Sequence, residues 1–289
     1  MADPFDALHL PPTPSAPDPA FAARLRARVE RALALPPGVT VSDLDLTATA
    51  DDTPADPPHH GDVAFLAVCV PDVDRAVAFY EAVLGCSYGA PLGDLGRQAS
   101  GVRPRHGLRV GAAGTAVPYF VVDDLQRSIA DVRDAGGRAD EARTERFGHV
   151  ADCTDDQDMA FALVEPLPDR VEPRVPLNGE HQGDISYLTF GVRDSSRTRA
   201  FLGAVLGWTF TSGRVDDGWE PQDVHPMTGM RGGSDHDSVA PMYRVDDVDA
   251  AVQRVRAAGG TATDPETQPY GRTSECTDDQ GSFFYLGTT

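Results

Sequence analysis

The chain has no lysine: all 25 of its basic residues are arginine. That excludes Schiff-base chemistry, a pyridoxal phosphate lysine and a P-loop lysine. Asparagine occurs once, as Asn178, and isoleucine only at Ile129 and Ile185. Such a bias fits a GC-rich genome, with a salt-loving origin the weaker reading. The sequence has no apolar run long enough to cross a membrane as a helix. The opening Met-Ala-Asp-Pro-Phe-Asp lacks the basic and apolar regions of a signal peptide. The expectation is therefore a cytoplasmic protein. The cysteines, Cys69, Cys86, Cys153 and Cys276, form no Cys-x-x-Cys and sit at no zinc spacing. They read as reduced, buried thiols.

Basic charge is also scarce. Asp and Glu number 45, giving a formal net charge of -20. Nucleic acid and anionic membranes both reward clustered Lys and Arg, so neither is expected as a partner. At 289 residues with 40% hydrophobic side chains, the chain is long enough for two domains.

What is present is a repeat. Gly61-Asp62-Val63-Ala64-Phe65-Leu66 lies over Gly183-Asp184-Ile185-Ser186-Tyr187-Leu188, 122 residues later, without a gap through Gly111 and Gly233. After one inserted residue, Pro118–Leu163 matches Pro241–Leu286 with 19 identities in 46 positions. Cys153-Thr154-Asp155-Asp156-Gln157 recurs there as Cys276-Thr277-Asp278-Asp279-Gln280. This is a tandem duplication, with copies at 61–166 and 183–289. Each copy divides again. A short apolar strand runs into an Asp cap and an amphipathic helix, as in Val68-Cys69-Val70-Pro71-Asp72 before Val73–Tyr80. Gly85 and Gly136-Gly137 supply helix stops. Short apolar runs between Gly, Pro and Asp follow, and these suit antiparallel strands. A strand, a helix and three strands thus occur four times.

The remainder reads differently. Residues 1–60 are expected to be a Pro-rich extension carrying one helix at 19–35, with Phe21, Leu25, Val29 and Leu33 on one face. The arginines on that helix suit a solvated face or a docking element. Residues 36–60 and 167–182 read as linkers.

Four such units, opened by "VPDVDRAVAFYEAVLG" and "VDDVDAAVQRVRAAGG" and closed by "GHVADCTDDQDMAFAL" and "GRTSECTDDQGSFFYL", resemble the vicinal oxygen chelate superfamily. That is the glyoxalase I, bleomycin-resistance and extradiol dioxygenase group. The Pro-rich start and arginine helix look like the opening of tandem actinobacterial members. The resemblance implies an α+β fold of four βαβββ modules in two tandem domains, each with one cavity, behind an N-terminal helical extension. It also implies a divalent metal held by His, Gln or Glu on first and closing strands. Carried over by position, those ligand sites fall on Phe65, Val117 and Ala162 in the first copy. In the second they fall on Tyr187, Ala240 and Tyr285. No His, Glu or Gln stands within one position of any of them. These side chains cannot assemble a hard or borderline metal site, so no metal and no cofactor are expected. Asp235-His236-Asp237 is the best local cluster and reads as a solvated loop.

The cavities are instead expected to be aromatic. Phe65, Tyr187, Trp208, Phe284 and Tyr285 are the pocket candidates, with Trp219 also available. Trp208, directly after the Leu206-Gly207 helix stop, is the one for which core packing is the commoner fate. Arg109 and Arg231 occupy equivalent places in "GLRVG" and "GMRGG". Facing inward, either would hold a carboxylate or phenolate; facing outward, either is a surface arginine. Asp155 and Asp278 read as turn residues. Cys153 and Cys276 read as small apolar strand residues.

The sequence therefore leads to a metal-independent binding protein for an apolar or aromatic small molecule. The acidic surface favours a cationic one. A metal-free tailoring isomerase, cyclase or lyase is the alternative, and a metal-dependent lyase or dioxygenase with atypical ligands stands third. Either a monomer or a homodimer fits, since two copies in one chain already supply a paired arrangement.

Overall fold

Among the described residues, four aspartates each start a helix of ten or twelve residues. In the computed structural model, which describes residues 56–93 and 96–288, α1 (Val73–Leu84) is capped by Asp72 and α2 (Leu125–Asp134) by Asp124. Asp194 caps α3 (Ser195–Leu206) and Asp247 caps α4 (Val248–Ala257). Each carboxylate accepts a first-turn backbone N–H that has no partner within the helix. Gly85 and Gly207 end α1 and α3 in the left-handed conformation at φ 74 and 67°, where a side chain is strained. The N-terminal helix expected at 19–35 lies outside the described residues.

Each copy forms its own nine-stranded sheet. In the first, β1 (Val63–Val70) pairs in parallel with β4 (Arg105–Val110) and antiparallel with β5 (Ala116–Val121). β2 (Ser87–Tyr88) and β3 (Arg97–Ser100) extend one side. On the other side, β9 (Ala160–Pro166) joins β5 and is followed by β8 (Gly148–Thr154). β6 (Arg138–Ala139) and β7 (Arg143–Glu145) both pair with β8. The second sheet repeats this order. Its centre is β10 (Ile185–Gly191) between β13 (Thr228–Arg231) and β14 (Ser238–Arg244). β11 (Phe210–Ser212) and β12 (Gly218–Pro221) extend one side; β15 (Thr261–Ala262), β16 (Glu266–Gln268), β17 (Gly271–Thr277) and β18 (Phe283–Gly287) form the other. This is the α+β architecture of four strand–helix–strand modules.

The main hydrophobic core lies between the two sheets and draws on both copies. α1 packs on α4, and α2 packs on α3. Phe79 of α1 lies against Phe284 of β18, and Phe201 of α3 against Phe161 of β9. Those two phenylalanine pairs are equivalent through the duplication. Gly260 and Gly137 make room for them: an added Cβ would stand 2.9 Å from the Phe79 ring at one and 2.9 Å from the Phe201 ring at the other. Among the described residues no helix is long and apolar enough to cross a membrane.

The repeated Thr-Asp-Asp-Gln turn makes part of this contact. Asp155 and Asp278 are turn residues, each accepting two backbone N–H groups of its own turn. The rest of the motif reaches across to the other copy. Gln280 exchanges two 2.8 Å hydrogen bonds with the backbone of Asp72, and Arg75 is ion-paired with Asp279. In the mirrored place, Gln157 donates to Thr198 Oγ1 at 2.8 Å and Arg197 pairs with Asp156.

Candidate functional site

A cavity forms on the outer face of the first sheet, opposite the helices. On the first sheet strand alternation sends Phe65, Ala67 and Cys69 of β1 to this face. Val117, Tyr119 and Val121 of β5 join them, as do Ala162 and Val164 of β9. Register aligns Phe65 with Arg105 and with Tyr119, then Tyr119 with Ala162, and Ala162 with Asp152. The Phe65 ring stands edge-on to Tyr119 at 5.3 Å. It lies over Gly107, where an added Cβ would come within 2.8 Å of the ring.

This face lines a cavity of about 150 Å³. Its floor and sides are Phe65, Ala67, Tyr119, Val121, Phe147 and Val164. A volume near 150 Å³ takes one benzene-sized ring. One wall comes from the segment after the first copy, through Pro166, Arg170, Glu172, Pro173 and Val175. That segment, read from sequence as a linker, is thus part of the cavity. Nothing in its Pro-rich composition signals this.

The charged lining is mostly arginine: Arg103, Arg105, Arg109 and Arg170, against Asp62 and Glu172. Both carboxylates have arginine partners, Asp62 with Arg174 and Glu172 with Arg105. Arg109 faces inward. Its Nε lies 3.4 Å from Cys69 Sγ, and it forms no ion pair among the described residues. Asp152 is engaged by Arg143 at 2.7 Å. Burial pushes the Tyr119 hydroxyl above its ordinary pKa, with Arg109 pulling the other way, so it is a neutral donor at pH 7.

The second sheet carries a matching but more open face. Tyr187 lies over Gly229 as Phe65 lies over Gly107. The Tyr285 ring meets Phe283 edge-on at 4.9 Å. Burial pushes the Tyr187 hydroxyl up to about 12. Arg231 pairs in register with Gly191, the counterpart of Cys69, which places it on the same face as Arg109; here it is exposed. Phe283 and Tyr270 are 40% and 48% exposed.

Two pocket candidates belong elsewhere. Phe284 is fully buried among Phe79, Tyr80 and Tyr243 on the helix side, because alternation along β18 sends Phe283 and Tyr285 to the outer face instead. Trp208 packs edge-on against Phe120 and Phe190, and its indole N–H donates to Gly61 O at 3.1 Å; it is core. Trp219 also leaves the outer face, stacking under Arg199 with its N–H on Asp217. Phe65, Arg109, Tyr187, Arg231 and Tyr285 do lie on the outer faces.

The positions where the family resemblance implies metal ligands hold Phe65, Val117 and Ala162 on one face and Tyr187, Ala240 and Tyr285 on the other. None but the tyrosines has a donor atom, and both tyrosine hydroxyls have raised pKa values. Among the described residues no three His, Cys, Asp or Glu side chains converge as a ligand set. Asp237 of the loop cluster is tied to Arg193. These residues do not fit a divalent ion. The thiols of Cys153 and Cys276 are pushed up to about 12 and about 11, chiefly by burial, as expected of small strand residues.

No family model matches the sequence, and no curated protein matches it. Solved structures do. A catechol 2,3-dioxygenase superposes with a TM-score of 0.59 at 14% identity, covering 79% of this chain and 88% of its own. The Mn(II)-bound glyoxalase from Novosphingobium aromaticivorans gives 0.59 at 16% identity, covering 79% and 82%. Homoprotocatechuate 2,3-dioxygenase from Brevibacterium fuscum gives 0.57 at 16% identity, covering 83% of each chain. At such identities the likeness concerns the fold alone: this chain shares the fold of these dioxygenases and of this glyoxalase.

Proposed function

We propose that the chain is a metal-independent small-molecule-binding protein that holds a single aromatic ring in the cavity of its first copy. The observation that carries this is the cavity itself. Where the family resemblance implies a metal, Phe65 lies across the strand floor, and Ala67, Tyr119, Val121, Phe147 and Val164 complete a largely apolar wall. Aromatic and aliphatic walls with a few inward polar groups suit a small, flat ligand. The acid–base enzyme reading needs a carboxylate or imidazole free to act on that ligand. Asp152, the carboxylate in the Phe65–Tyr119 row, is held by Arg143 and half-exposed, which favours binding over turnover.

The test is ligand-detected NMR on the full chain with phenol, toluene and benzamide, with and without chelator. Binding that survives chelator supports the reading. Binding that appears only with added Mn²⁺ or Fe²⁺ overturns it, as does no binding by any ring compound.

A further inference from the structure

We infer that the ligand of the first cavity is an anion, an aromatic carboxylate seated with its acid group on Arg109. This deepens the ring-binding reading above and rests on it.

Arg109 is a permanently charged group on an otherwise apolar floor. Desolvating such a group costs stability unless a partner compensates. Among the described residues, Nε is the one of its five N–H donors that finds a partner, the weak acceptor Cys69 Sγ. Other arginines on this sheet are matched. Arg143 holds Asp152 and Glu145, Arg105 holds Glu172, and Arg97 holds Asp74. Among the described residues Arg109 is left with free donors, and the buried Tyr119, which shares the cavity lining with it, has a hydroxyl that forms no hydrogen bond with them. A guanidinium fork and a phenol O–H lining one ring-sized, largely apolar space match a planar carboxylate attached to an aromatic ring.

The remaining lining agrees in sign. Arg103 and Arg170 add positive charge near the cavity, while its two carboxylates are already neutralised by arginines. In a chain of net charge -20 this is a local reversal. The overall acidity, which favours a cation at the surface, therefore does not describe the cavity. The second copy lacks the arrangement: its equivalent, Arg231, is exposed on an open face.

The experiment compares benzoate, benzamide and benzylamine by titration calorimetry against the full chain and the variants Arg109→Gln and Tyr119→Phe. Circular dichroism checks that both variants are folded. Benzoate should bind best to the wild type. Arg109→Gln should weaken benzoate roughly tenfold to a hundredfold, as expected for loss of a charge-assisted pair, and weaken benzamide by a much smaller factor. Tyr119→Phe should weaken benzoate by a smaller factor. Raised salt should weaken benzoate more than benzamide. If benzamide or benzylamine binds as well as benzoate, or if Arg109→Gln binds benzoate normally, the anion inference falls while the ring cavity stands. If none of the three binds, both fall. If Arg109→Gln does not fold, the ranking of the three probes on the wild type and on Tyr119→Phe decides alone.

Discussion

Arg174 grips Asp62 at both carboxylate oxygens, with Nε 2.8 Å from Oδ2 and Nη2 3.1 Å from Oδ1. Both side chains are buried, and Asp62 also accepts the backbone N–H groups of His59 and His225. The duplicate, Asp184, is equally buried but takes the N–H groups of Arg103, Glu180 and His181 instead. The first copy has thus used this aspartate to pin the segment that walls its cavity, since Pro173 and Val175 flank Arg174 in the lining.

Asp62→Asn should therefore act twice. Removing one partner of a buried pair costs about 3–5 kcal/mol, and the low end applies because Arg174 keeps Asp223. The same change should loosen the wall and weaken ring binding. Asp184→Asn, which touches the cavity only through the backbone N–H of Arg103, should destabilise while lowering ring affinity less than Asp62→Asn does. Thermal denaturation and calorimetry on the two variants check this; equal loss of affinity in both would contradict the assigned role.

Gln157→Ala tests the contact between the copies. Its side-chain amide donates to Thr198 Oγ1 at 2.8 Å and to Asp194 O at 3.3 Å, where it is almost fully buried. Loss of those bonds should cost about 1–2 kcal/mol, read in urea unfolding. The more exposed Gln280→Ala should cost less, because water replaces its partners.

Much of this fold can be read from the chain. The duplication, the four aspartate caps and the glycine stops are local signals, and each has a local cause. The site is less legible. Alternation says that Phe284 and Tyr285 face opposite ways, but not which faces the helices. Arg109 and Arg231 share that ambiguity. Trp208 is core because strands of both copies meet there, through Phe120 and Phe190, a fact of tertiary packing with no sequence period. The repeated Asp-Asp-Gln signals a turn; that it also holds the other copy's helix depends on how the two sheets face each other. The wall at 166–175 lies in Pro-rich sequence whose composition resembles any spacer.

Gly107→Ala should close the first cavity from below. The new Cβ would stand 2.8 Å from the Phe65 ring and 3.0 Å from the Arg97 carbonyl, so the ring must move toward the cavity. Ring affinity should fall while the fold persists. Gly229→Ala meets the Tyr187 hydroxyl at 1.8 Å and should leave the first cavity's affinity intact. If Gly107→Ala binds ring compounds as well as wild type, Phe65 is not the floor of the occupied site.

His106 makes stability depend on pH. It is fully buried on β4, with Nδ1 3.3 Å from Tyr88 Oη and its ring 5.1 Å from that of Tyr243. Its Nε2 and the Tyr243 hydroxyl have no hydrogen-bond partner among the described residues. Burial lowers its pKa from 6.5 to about 4, only partly opposed by the Asp184 charge. Unfolded, the imidazole binds a proton below 6.5; folded, it stays neutral until about 4. Between those values the unfolded state carries more protons, so stability falls as pH drops through this window and levels below it. The size of the loss is about 3 kcal/mol. His106→Gln, neutral throughout, should show a shallower decline between pH 6.5 and 4 in urea unfolding. An identical slope in wild type and variant would mean that carboxylates, not this histidine, set the acid sensitivity.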